Sequence, residues 1–552
     1  MTFGSPGERH LKWWHAALLV SLAAAGLVLG GAVHPSAAQE ASNRVSFTWS
    51  LEPRFGLDAD GDGLIEIENT PEYTHHRAPG SCPGDCPPLL LGVTLTAAPA
   101  AKDLGLPTAG FLTYEWRISG PRGTGVYHRT RPGLSLLLPE GVHDVDLRVR
   151  LRLPWGTVGA RNSGSMEIDD LLVVAIGDSY ASGEGSPDTA LTGGTAHWAD
   201  ATDPEVLQSH ALTHRSSVAW PARAALALED ESRATSVTFV DLAASGARID
   251  AGLLGGRSNP DIVAQLDDLE LIVQDRQIDI LMVQIGGNDV GFSRIIRALV
   301  EADPLLNPIC YGVLFDNVWA SAADGIWDRD VRLTYDPPFR FGCESVPGTS
   351  KAIPGFNGLE GALERLDRRL DQMSIKSVYL MEYPDPTGGD AEGQICDEIV
   401  GDVTPPFGFH EVDEQEQAAG VERLLDPLNE SLRAATESYG WTWVGGVSDR
   451  FAGGHGYCAP WPNYGYPDEF ASSPRLFPDP LDFPEGWYRA PGRYGSPLVL
   501  NDGETSWYRT AAQSATLQGP TPRYLTPGTL HPNELGHAAM ARLVLTAIAA
   551  SD

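Results

Sequence analysis

The chain has 552 residues, 42% hydrophobic and 8% aromatic, which is enough for more than one buried core and excludes disorder throughout. Its 73 Asp and Glu against 39 Lys and Arg give a formal net charge of -34, so the surface as a whole repels nucleic acid and anionic membranes. Arg9 and Lys12, an apolar segment over 16–33 and then Ser36-Ala37-Ala38 follow the layout of a secretory signal cleaved after Ala38. An uncleaved anchor competes with that reading, because the apolar run approaches spanning length. Cleavage implies a secreted, extracellular protein with no stable membrane insertion, expected as a monomer. The six cysteines, Cys82, Cys86, Cys310, Cys343, Cys396 and Cys458, are an even number that suits an oxidising compartment. Pairing sequence neighbours gives 82 with 86, 310 with 343 and 396 with 458, although sequence alone leaves connectivity open.

From 43 to 169 the chain alternates apolar and polar residues. Val45, Phe47, Trp49 and Leu51 share one face of a predicted strand, as do Leu112, Tyr114, Trp116 and Ile118, and Val145, Leu147, Val149, Leu151 and Leu153. Turn signals such as Gly120-Pro121-Arg122-Gly123 separate them, so a small all-β sandwich is expected over 39–169. The Tyr-x-Trp run, the turn at 138–141 and the strand after it resemble a PKD-type, immunoglobulin-like module. Within it, residues 58–66 resemble a calcium loop of the EF-hand or dockerin type. Asp58, Asp60 and Asp62 stand at positions one, three and five, Gly63 at six, and Leu64 and Glu66 at seven and nine. Asn69 replaces the usual acid at position twelve. A structural calcium ion and a solvated acidic turn are therefore both open. His75, His76, Cys82 and Cys86 do not have a zinc-finger spacing.

From 170 onward, predicted strands at 171–176, 237–240, 278–285, 378–382 and 441–444 alternate with helical stretches, as in a doubly wound α/β domain. Leu359, Leu363, Leu366, Leu370 and Met373 recur at helical steps, and the last helix is expected just after Pro532. Insertions at 301–355, 384–420 and 452–526 show no clear periodicity and are expected to shape the mouth of a site.

The apolar strand at 171–176 runs into Gly177-Asp178-Ser179-Tyr180-Ala181-Ser182-Gly183-Glu184-Gly185. Glycines after a buried strand permit a tight turn that exposes the Ser179 hydroxyl at the carboxyl edge of the sheet, where such proteins bind ligands. Together with Ala243-Ala244-Ser245-Gly246-Ala247, Gly286-Gly287-Asn288-Asp289 and His531-Pro532-Asn533-Glu534-Leu535-Gly536-His537, in that order, the block resembles the SGNH (GDSL-type) hydrolases over 170–550. The resemblance implies a three-layer, flavodoxin-like α/β/α domain with a parallel sheet. It implies Ser179 as nucleophile, His531 as general base, and an oxyanion hole made by the Ser179 and Gly246 N–H groups and the Asn288 amide. No cofactor is needed for that chemistry. His537 is read as a packing or capping residue, and Asp178 and Asp289 as braces.

One position departs from the family pattern. The aspartate expected three residues before the histidine is Gly528, and no acid lies between 505 and 533. A backbone carbonyl or a distant acid would then orient the base, or the site is degenerate. The chain has no Gly-x-Ser-x-Gly elbow around Ser179, no His-Glu-x-x-His and no complete Gly-x-Gly-x-x-Gly. The expected function is a serine esterase or lipase acting on a lipid, a small acyl ester or an acetylated glycan. The alternatives are an extracellular carbohydrate- or surface-binding protein and a polysaccharide deacetylase.

Overall fold

The structure is a computed structural model. It describes residues 45–51, 90–98, 112–153, 156–192, 195–198, 204–231, 234–257, 259–273, 276–292, 295, 319–323, 329–336, 340–347, 353–388, 395–396, 398–401, 410–459, 506–509, 514, 518 and 528–551. The expected signal segment, the acidic loop at 58–69 with Asp58, Asp60, Asp62, Leu64 and Glu66, and Cys82, Cys86 and Cys310 lie outside the described residues. Two compact units are present. The first gathers its described residues from Met1–Thr48, Leu95–Leu134 and His143–Met166, and the second from Trp49–Thr94, Ser135–Val142 and Glu167–Asp552.

In the first unit, strand β1 (Leu112–Gly120) lies antiparallel to β2 (Gly123–Arg129) on one side and to β3 (Gly141–Leu153) on the other. The alternation read in the sequence is realised: Tyr114, Trp116, Ile118, Val145, Leu147, Val149 and Leu151 are buried. Phe47 meets Trp116 edge-on, with ring centroids 6.0 Å apart. Strand β4 (Gly156–Gly177) is 22 residues long and continues from the first unit into the second. It passes without interruption through the position, 169 to 170, at which the composition changes.

The second unit is built on a parallel sheet. The end of β4 pairs with β5 (Thr235–Asp241) on one edge and β6 (Ile278–Gln284) on the other; β7 (Ile375–Met381) and β8 (Thr442–Val444) follow, all parallel. The spatial order is β5-β4-β6-β7-β8, so the order reverses next to β4. Ligands of open α/β sheets bind in the crevice created by that reversal, at the carboxyl ends of the strands.

Both faces of the sheet are covered. Val173, Ala175, Phe239 and Met282 pack with helices α2 (Trp220–Glu231) and α6 (Glu534–Ser551) through Ala225, Met540 and Val544. On the other face Leu172, Val174, Ile176 and Val283 pack with α3 (Gln265–Val273), α4 (Gly355–Leu370) and α5 (Asp426–Tyr439) through Leu269, Leu363, Leu366 and Leu432. Residues 172–176 are fully buried, which explains why they read as an unbroken apolar run.

Helix α6 begins at Glu534, just after Pro532 as expected, and the Asn533 side chain caps it by accepting from the Leu535 and Gly536 N–H groups, so Pro532 precedes the cap and is not in the first turn. Two local expectations are corrected. Met373 lies past the end of α4. The insertions carry regular structure: an antiparallel hairpin, Arg329–Asp336 with Arg340–Pro347, and a second, Glu398–Gly401 with His410–Asp413, which runs into the helix Glu414–Gly420. Cys396 and Cys458 form a disulfide with a Cα separation of 5.9 Å, as expected from the sequence. Cys343 is on the first hairpin, and its side chain is outside the described residues.

Candidate active site

Strand β4 ends at Gly177, whose φ of +149° brings it so close to β6 that a Cβ would lie 2.2 Å from the Gln284 carbonyl oxygen. Only glycine fits there. The Gln265 side chain accepts from the Gly177 N–H and donates to its carbonyl, both at 2.8 Å, and the Asp178 N–H donates to the Gln284 carbonyl at 2.9 Å. Asp178 then caps the four-residue helix α1 (Ser179–Ser182), accepting from the Tyr180 N–H at 3.0 Å. The sharp turn leaves Ser179 at the start of α1, 8% exposed.

His531 reaches this serine across 352 positions of sequence: its Nε2 lies 2.8 Å from Ser179 Oγ. Its Nδ1 lies 3.0 Å from the Thr529 carbonyl oxygen. A carbonyl only accepts, so Nδ1 carries the proton and Nε2 presents its lone pair to the serine hydroxyl. Burial pushes the imidazole below its ordinary pKa, with the Glu184 charge opposing it, so the ring is neutral at neutral pH. Leu530, just before it, has a φ of +60°, a conformation that costs a leucine about 1–2 kcal/mol. Three bonds hold it: Tyr180 Oη donates to the Leu530 carbonyl at 2.8 Å, the Leu530 N–H to Arg509 O at 3.0 Å, and the Arg509 N–H to His531 O at 2.8 Å.

The loops after β5 and β6 bring Gly246 and Asn288 to the same edge of the sheet. Gly246 is exposed. Among the described residues, neither the Ser179 N–H nor the Gly246 N–H donates to a protein group, so both remain available. Asn288 Nδ2 donates one hydrogen to Ala247 O at 3.0 Å, which orients the amide and leaves a second hydrogen.

The two flanking aspartates tie these loops together. Asp178 accepts from Tyr383 Oη, which itself accepts from the Gly287 N–H at 3.1 Å; Asp289 accepts from the Ile249 N–H at 3.2 Å. Burial pushes the pKa of each carboxyl up to about 7. His537 is fully buried in α6 and its Nδ1 accepts from the Trp220 N–H at 3.3 Å, a packing role.

Sequence reasoning missed Glu184. This residue is 1% exposed, and its carboxylate lies 2.7 Å from His214 Nδ1. Burial opposes its ionisation, but the charge and hydrogen bond of His214, followed by His531 and Ser245, hold its pKa down to about 2. For His214 burial works against protonation, and Glu184 outweighs it, raising the pKa. Glu184 also accepts from Gln518 Nε2; Ser514 Oγ donates to Gln518 Oε1 at 3.0 Å and accepts from the Gly528 N–H at 3.0 Å. The chain of bonds ends on the turn that presents His531.

The same contact explains Gly528. A Cβ there would lie 2.5 Å from Gly185 Cα and 2.7 Å from Ser514 Oγ, so no aspartate fits. The loop that carries Ser179 occupies that volume and brings its own buried acid. The available sign was Glu184 itself, standing between two glycines inside the Ser179 block. Among the described residues no group of three or more His, Cys, Asp or Glu side chains could hold a metal ion, and no helix is long and apolar enough to cross a membrane.

No protein-family model matches the chain, and no curated protein matches it. Solved structures do. The extracellular lipase from Streptomyces rimosus is 17% identical, with a TM-score of 0.36, 68% of this chain and 98% of the lipase being covered. The phospholipase A1 from Streptomyces albidoflavus NA297 is 16% identical, with a TM-score of 0.35, 68% of this chain and 97% of the other being covered. A carbohydrate esterase with divergent catalytic and non-catalytic binding functions is 10% identical, with a TM-score of 0.18, over 61% and 78%. Likenesses this faint say nothing of activity or substrate.

Proposed function

We propose that the chain is a secreted carboxylic ester hydrolase of the SGNH type, in which Ser179 is the nucleophile and His531 the general base. The observation that carries the reading is the 2.8 Å contact between Ser179 Oγ and a neutral His531 Nε2. Ser179 Oγ attacks the ester carbonyl carbon and its proton passes to Nε2. The carbonyl oxygen, now an anion, is met by the Ser179 and Gly246 N–H groups and by Asn288. Collapse of the tetrahedral intermediate breaks the C–O bond, and the imidazolium returns its proton to the departing alcohol. Water then attacks the acyl-enzyme, His531 takes one of its protons, and the free acid leaves with Ser179 restored.

The Thr529 carbonyl fixes the tautomer in the place of the missing aspartate, and Glu184 supplies negative charge that favours the imidazolium as it forms. The residues before 170 are proposed as a β-sandwich module, with calcium as the candidate ligand of the loop at 58–69. The reading of the second unit as a degenerate scaffold has no observation in its favour.

The test is hydrolysis of p-nitrophenyl butyrate by the purified protein and by Ser179→Ala. The expected outcome is turnover by the first and a loss of at least about 10⁴-fold in the second. Equal rates would overturn the assignment. Acyl chains of increasing length set against acetylated glycans separate lipase from deacetylase.

A further inference from the structure

Arg257 follows the Gly246 loop and folds back onto it. Its Nη1 donates to the Ser245 carbonyl, and its Nη2 would lie 2.8 Å from a Cβ on Gly246. The guanidinium is therefore seated against the stretch of backbone that offers the Gly246 N–H. It is half-buried, and among the described residues no carboxylate pairs with it.

Several other arginines of the second unit do pair with an acid. Arg276 pairs with Asp170, Arg365 with Asp250, Arg368 with Glu364, Arg369 with Glu270 and Arg509 with Glu534. The chain carries 73 acidic residues against 39 basic ones, so acids are in ample supply. Arg248, of like sign, acts on Arg257. Burial first and Arg248 second hold its pKa below the usual value, and its charge is felt by His214. Partly desolvated positive charge without a counter-ion is costly, and the cost is removed when an anion arrives. A guanidinium offers a planar pair of N–H donors that matches the oxygens of a phosphate or carboxylate. The strongly acidic surface makes such a group the more necessary for an anionic substrate, which the rest of the molecule repels.

We propose that Arg257 binds an anionic group of the substrate, a phosphate or a carboxylate carried beside the scissile ester. The inference rests on the ester-hydrolase reading and adds the substrate class to it. Esters whose acyl or alcohol part bears a negative charge are selected over neutral esters of the same length.

Two measurements on the full chain test this. In the first, kcat/KM is compared within two pairs: a monoacylglycerol against the matching monoacylglycerol phosphate, and p-nitrophenyl methyl glutarate against p-nitrophenyl hemiglutarate. The intact protein is expected to favour the anionic member of at least one pair by about tenfold or more. Arg257→Met is expected to abolish that preference and Arg257→Lys to retain part of it. The pair that responds identifies phosphate or carboxylate as the source. Absence of preference in both pairs, or an equal fall on both members of a pair in Arg257→Met, overturns the inference.

The second measurement is calorimetric binding of dodecyl phosphate and of neutral dodecyl maltoside to Ser179→Ala, with and without Arg257→Met, after matched melting curves establish folding. Loss of Arg257 is expected to weaken dodecyl phosphate about tenfold and to spare the maltoside. If no ester is cleaved yet dodecyl phosphate binds through Arg257, the hydrolase reading falls and the anion site stands. If esters are cleaved and dodecyl phosphate binds both proteins alike, only the anion site falls.

Discussion

Two clusters of charge in this molecule are built from the same chemistry and have different consequences. On the antiparallel strands of the first unit, Glu115 faces Arg148 at 3.6 Å and Arg150 at 3.3 Å, and the arginine side chains are 40% and 51% exposed. In the second unit Glu184 faces His214 at 2.7 Å, with the carboxylate side chain only 1% exposed. Water reaches the arginines of the first cluster, so its pairs contribute little beyond solubility. In the second the Glu184 carboxylate is shut off from water while His214 is 30% exposed, so the buried charge acts on its neighbours, His531 included. The difference teaches that the medium around an ion pair, more than its distance, decides whether the pair does chemistry.

Four substitutions sharpen that contrast. The largest effect is expected from Asn288→Ala, which removes a proposed oxyanion donor and should lower kcat by about 10²–10³-fold in steady-state assays. Asp178→Asn comes next, read as melting temperature against pH. An unfolded aspartate ionises near 3.8 and the folded Asp178 keeps its proton to about 7. Between those values the folded state holds more protons, so its stability falls as pH rises. The Asn variant escapes that fall, and at pH 8 it should gain on the order of 1–3 kcal/mol relative to its standing at pH 4. Parallel melting profiles for the two proteins would count against a neutral, buried Asp178.

Glu184→Gln should lower kcat by about tenfold and move the acid limb of the kcat/KM profile. Activity rises as His531 loses its proton, at a pH below its ordinary 6.5 because of burial; Glu184 raises that pKa, so its removal shifts the limb to lower pH. An unmoved limb would leave Glu184 with a structural role alone. Glu115→Gln, in the exposed cluster, is expected to change thermal stability by less than about 1 kcal/mol and activity not at all.

The legible parts of the chain were those in which local pattern and tertiary position agree. Residues 171–176 are apolar because both faces of the parallel sheet are covered, and the turn that follows needs Gly177 because Gln284 crowds it. The alternation of β1 and β3 was equally plain, since one face is buried and the other carries the arginines and acids. Other features depend on neighbours remote in sequence. Residues 161–165, Arg-Asn-Ser-Gly-Ser, are rich in residue types that disfavour strands, yet they belong to the middle of β4, where sheet pairing overrides local preference. Glu184 stands between two glycines in the Ser179 block, but its role could not be read from that position, because its partners His214 and Gln518 meet it only after folding. Gly528 looked like a missing acid until Gly185 was seen against it. Arg257 has no motif at all; its position over Gly246 is a property of the folded loop.

The most direct test of the central claim, that Ser179 is made nucleophilic by His531, is fluorophosphonate labelling of the intact protein followed by mass-spectrometric mapping of the modified peptide. The account predicts one label, on Ser179, formed rapidly in the parent protein and at least about 10³-fold more slowly in a folded His531→Ala variant. Labelling at another residue, or at Ser179 with the same rate in both proteins, would contradict it.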